Sequence, residues 1–267
     1  ETADKTKEFR GTQLITCVNY GGRREILDAV NKMLAAVKDL ENAFNSNWCD
    51  VYENRGKHSG AYSWGCYNAH PYVLLNYQSK YNDVSTLAHE MGHALHRYYS
   101  NKNQDYYYSD NAIFVAEIAS TVNETLLNLY MLDKENEKMK KLIINELLDD
   151  VKNTIYRQTM FAEFELTIHN MSFNGETLNN EKLNNIYYDL IKKYHGENVI
   201  CDEYIKYEWS RIPHFYTPFY VYQYATGLSI AISIATRIYN GDAEMKDKYL
   251  EFLKSGSNDY PTNLVSK

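Results

Sequence analysis

The stretch Thr86-Leu87-Ala88-His89-Glu90-Met91-Gly92-His93-Ala94-Leu95-His96 constrains this chain more than any other. It writes H-E-x-x-H inside a pattern that reads as a helix. Positions i and i+4 of a helix lie one above the other on one face, so His89 and His93 can aim two imidazole nitrogens at one ion about 2 Å away. Glu90 follows His89 directly, where its carboxylate can take a proton from a water whose pKa a zinc ion has lowered. With 8 His among 267 residues, this spacing is uncommon by chance. Leu87, Ala88, Met91, Ala94 and Leu95 make the helix largely apolar, as expected of one buried behind a site. One Zn2+ per chain is the expected cofactor.

A catalytic zinc takes three protein ligands and keeps a position for water. Glu117 is the best candidate for the third, because it interrupts the apolar run Asn111 to Thr121, and a lone carboxylate there is costly unless paired or bound to metal. His96 is the alternative, although its offset from His93 would need a distorted helix. Glu124, two turns beyond Glu117 on roughly the same face, is placed to hydrogen-bond a ligating histidine. Asp83 or Ser85 is expected to cap the zinc helix.

Composition narrows the partners. A net charge of −7, without a basic stripe, argues against nucleic acid and anionic membrane surfaces. No apolar run reaches the roughly 18 residues of a membrane span. The charged start does not resemble a signal peptide. Four cysteines without C-x-x-C spacing fit reduced thiols, and a cytoplasmic location is expected.

In chain order, residues 11–40 read as strand, glycine turn and helix. Their stretch Asn19-Tyr20-Gly21-Gly22-Arg23-Arg24-Glu25-Ile26 resembles undecaprenyl diphosphate synthase. Residues 1–40 are therefore expected to be an appendage without catalytic function, and 41–267 the catalytic domain. Trp48 to Cys66 should form turns and a short strand, and Pro71 to Tyr77 a strand beside the zinc helix that offers its edge to an extended peptide. Helices are expected over about 110–131, 135–171 (one or two), 181–194, 219–238 and 243–254. Between Trp209 and Tyr224, His214 and several tyrosines surround Pro213 and Pro218. Phenol and imidazole donors of this kind can hold the oxyanion that develops when an amide is hydrolysed.

From about residue 45 to 264 the chain resembles the thimet-oligopeptidase-like metallopeptidases, in the oligoendopeptidase F branch. The stretches that carry the resemblance are Gly56-Lys57-His58-Ser59-Gly60-Ala61-Tyr62, Pro71 to Tyr77, the zinc helix, Ala116 to Thr121, and Ile212-Pro213-His214-Phe215-Tyr216. It implies a mainly α, zincin-like catalytic domain with a small β element beside the zinc helix. It also implies His89, His93 and Glu117 on zinc, Glu90 as general base, and His214 with nearby tyrosines at the oxyanion. Tyr222 is the favoured donor, Tyr216 a second contact with substrate, and Tyr220 the fallback. Relatives are longer, so the resemblance implies a truncated domain without the helical half that walls the far side of the substrate channel. The expected function is a zinc endopeptidase acting on short unstructured peptides. A catalytically weak zinc- and peptide-binding fragment is the alternative, and a prenyl diphosphate enzyme is a third reading that rests on the glycine turn alone.

Overall fold

The computed structural model describes residues 35–78 and 80–266, so the Asn19–Ile26 turn and its flanking strand lie outside the described residues. The architecture is mainly helical, as expected, and divides into two compact units. The first comprises residues up to Glu135 together with Ala231–Lys267, and the second Asn136–Ile230.

The first unit opens with helix α1, Ala35–Asn45, which runs through residues 40 and 41 without a break. Leu40 and Ala43 are buried, and the Asp39 carboxylate accepts the Tyr99 hydroxyl at 2.7 Å. Three short strands follow: β1, Cys49–Asp50; β2, Tyr62–Trp64; and β3, Tyr72–Leu74. Their order is β1-β3-β2, with β3 parallel to β1 and antiparallel to β2. This corrects the expected edge role of the Pro71–Tyr77 strand. Both sides of β3 are already paired, and β2 is an outer strand. Alternation along β3 buries Val73 and turns Tyr72 outward beside Trp64, its register partner.

Helix α2, Tyr81–Asn103, carries the zinc motif and α3, Ile113–Lys134, packs along it. The helix starts ahead of both expected caps. Asp83 instead sits in the first turn, where its carboxylate accepts the backbone N–H groups of Gln78 and Lys80, both at 2.8 Å. A negative charge there also suits the positive end of the helix. Helix α8, Ala243–Lys254, closes the other side of α2, stacking Phe252 on His96, and Gln104 Nε2 donates to the Lys254 carbonyl at 2.8 Å.

In the second unit α4, Glu137–Asp150, passes through a π-helical turn, Val151–Tyr156, into α5, Arg157–Phe173. The segment is thus helical almost throughout its expected span. Gly175, at φ +80°, follows its end, and Gly196, at φ +78°, ends α6, Asn180–His195. Only glycine takes this backbone region without steric cost. Phe161, Phe164, Tyr187, Ile191, Ile212 and Val221 fill the unit's core. Two 3₁₀ segments, Glu203–Arg211 and Pro213–Tyr216, lead to α7, Tyr222–Tyr239. That helix was expected from Phe219. Phe219 has φ 57°, a left-handed conformation that a right-handed helix cannot include, so α7 starts later.

Candidate active site

Helices α2 and α3 bring together His89, His93 and Glu117, whose potential ligand atoms all lie within 4.8 Å of one another. Glu117 Oε2 is 3.4 Å from His89 Nε2 and 3.6 Å from His93 Nε2. Ligands at about 2.0–2.1 Å from a tetrahedral zinc lie about 3.3–3.4 Å apart, so the two Glu117–histidine separations fit the ion. Glu124 Oε2 is 2.9 Å from His89 Nδ1, and a proton held between them leaves His89 Nε2 free to ligate. Ser85 donates to the other Glu124 oxygen at 2.9 Å. Sequence reasoning offered Ser85 only as a candidate helix cap, although its position one turn before His89 was a signal for this contact.

His96 is buried, its ring stacks on Phe252, and burial pulls its imidazole down to about 3, so it is a neutral core side chain. It is not part of the cluster. Glu90 is also buried, and its Oε2 has no hydrogen-bond partner among the described residues. Burial raises its pKa, partly offset by His89 and His93. A buried acceptor left open beside two converging imidazoles is the second feature that fits a metal with a water on it.

Burial lowers the His89 imidazole, but carboxylates on both ring nitrogens outweigh this and push it up to about 10. Glu117 shows the reciprocal effect. Burial raises its carboxyl, and hydrogen bonds to His89 and His93 more than reverse this, holding it below the usual carboxylate range.

In the second unit, His214 lies in the Pro213–Tyr216 segment. Tyr220 stacks against it with centroids 5.8 Å apart, and Tyr224 meets it edge-on, its hydroxyl 3.4 Å from Nε2. Tyr220 was foreseen as a fallback, whereas Tyr224 was not. Tyr216 and Tyr222 are exposed. Buried Glu165 accepts the Phe219 N–H at 2.7 Å, holding the left-handed residue just before Tyr220.

A family model for "Peptidase family M3" matches residues 25–267. Oligopeptidase PepF of Bacillus subtilis (strain 168) is 48% identical over 229 residues, covering 85% of this chain and 34% of that protein. Group B oligopeptidase PepB of Streptococcus agalactiae is 47% identical, covering 85% and 38%. Among solved structures, oligoendopeptidase-F from Enterococcus faecium aligns with TM-score 0.69 and 33% identity, covering 95% of this chain and 39% of that one. A chain from Chlamydophila abortus aligns with TM-score 0.86 and 41% identity, covering 92% and 42%. The chain thus spans well under half the length of these relatives. No helix among the described residues is long and apolar enough to cross a membrane. The motif, the His-His-Glu cluster and a family match over most of the sequence agree: this chain belongs to peptidase family M3.

Proposed function

We propose that the chain carries the catalytic centre of a zinc-dependent endopeptidase that hydrolyses short unstructured peptides. The observation that carries this reading is the convergence of two imidazoles and a carboxylate at zinc-ligand spacing, with Glu90 beside them. His89, His93 and Glu117 would hold one zinc ion per chain. When bound, zinc supplies Lewis acidity to the scissile carbonyl and makes water a nucleophile near neutral pH. Glu90 takes the proton from the attacking water and returns it to the leaving nitrogen, a shuttle favoured by its raised pKa. Glu124 and Ser85 keep His89 in the tautomer that presents Nε2. The resemblance assigns the oxyanion donors to His214 and a tyrosine, which would be Tyr222 or, by its contact with His214, Tyr224.

The substrate assignment leans on the names of the relatives, which are oligopeptidases and oligoendopeptidases. Peptide main chain would pair with the outer strand β2, and Tyr216 and Tyr220 would touch substrate side chains. Residues 1–40 have no catalytic part in this account. Elemental analysis paired with a fluorogenic peptide assay tests the reading: zinc with cleavage supports it. Zinc and peptide binding without cleavage would favour the alternative, a catalytically weak binding fragment.

A further inference from the structure

The zinc ligands come from two helices, so their geometry depends on how closely α2 and α3 approach. Gly92, between Glu90 and His93 in sequence, lies directly against the α3 backbone. A Cβ built on Gly92 would lie 2.5 Å from Ser120 Cα, 2.6 Å from the Ala119 carbonyl oxygen and 2.9 Å from Ser120 N. Non-bonded carbon atoms settle at about 3.5–4.0 Å, so even one methyl group would drive the helices apart by about an ångström. All three atoms are backbone, and no trimming of an α3 side chain would relieve the clash. The residue on the far side of the contact also acts on the ligand. Ser120 Oγ lies 2.9 Å from the Glu117 carbonyl oxygen and 3.2 Å from its Oε2, the oxygen that faces both histidines, so its single proton is shared between the Glu117 carbonyl and carboxylate.

We propose that Gly92 and Ser120 are paired positioning residues: the missing Cβ sets the distance between α2 and α3, and the Ser120 hydroxyl aims the Glu117 carboxylate across it at His89 and His93. Metal sites tolerate ligand displacements of only about 0.2 Å, so an added methyl acts on the metal and not only on packing. The inference rests on the zinc reading above.

Two measurements test it on the full chain: the zinc Kd, by competition with a chromophoric chelator, and the visible spectrum of the cobalt(II)-substituted protein. Gly92→Ala should remain helical by circular dichroism, bind zinc about 10–100-fold more weakly and show an altered cobalt spectrum. Ser120→Ala should raise the Kd about tenfold with little change in Tm. Met131→Ala, a core truncation near the far end of α3, should lower Tm and keep the wild-type Kd and spectrum. That comparison separates positioning from general stability. A folded Gly92→Ala with wild-type Kd and spectrum overturns the proposal. If Gly92→Ala does not fold, Ser120→Ala decides alone, and an unchanged Kd overturns it. Wild-type protein that binds no zinc overturns the metal reading and the inference with it.

Discussion

At the scale of single residues, the chemistry depends on which proton acceptors and donors stand where. Glu90→Gln keeps the shape and removes the acceptor, so the variant should hold zinc normally and lose at least about 10²–10⁴-fold in kcat. Elemental analysis and peptide turnover on the same sample check both halves. Metal affinity should also depend on pH. Because paired carboxylates hold His89 protonated up to about 10, zinc must displace that proton, and apparent affinity should fall about tenfold per unit as pH drops from 8 to 6. In metal-free protein the same pairing stabilises the fold fully below about 6.5 and loses that contribution as pH rises through about 10. Zinc competition titrations at several pH values should show that slope, and a flat profile would mean that His89 is already neutral. For the oxyanion, Tyr224→Phe and Tyr222→Phe separate the two candidates, because loss of the acting hydroxyl should lower kcat by about 10²-fold with KM little changed. The His-His-Glu cluster was legible because a helix writes its faces at fixed spacing and a carboxylate inside an apolar run needs a reason. Tyr224 was not, because the start of α7 depends on the left-handed Phe219, which no local pattern announces.

At the scale of elements, the second unit is tied together by one buried carboxylate. Glu208 accepts Tyr187 Oη at 2.7 Å and Arg157 Nη2 at 2.6 Å, and pairs with Arg211 as well. Burial alone would raise its pKa, but these partners hold it below the usual carboxylate range. A depressed carboxylate stabilises the fold above its unfolded value of about 4.5, and the benefit is lost as pH falls through the folded value. Urea unfolding should therefore show wild type losing stability in acid. Glu208→Ala, which leaves the buried Tyr187 hydroxyl without its acceptor while Arg157 and Arg211 stay open to solvent, should already be weaker by about 1–3 kcal/mol at pH 7. Equal unfolding midpoints at pH 7 would contradict this. Helices were readable from apolar periodicity and from glycine and asparagine stops, whereas the strand order was not. Strands of two or three residues carry almost no periodicity, and the pairing of β1 with β3 spans a long loop, so the central place of β3 emerges only in three dimensions.

At the scale of the whole molecule, the first unit carries the His-His-Glu cluster and the second carries His214 with its tyrosines. One zinc ion is expected on His89, His93 and Glu117. The most direct test is zinc stoichiometry by elemental analysis of the wild-type chain beside His89→Ala, Glu117→Ala and His96→Ala. One zinc per chain is expected in wild type and His96→Ala, and little or none in the other two. Full zinc in Glu117→Ala, with loss in His96→Ala, would contradict this.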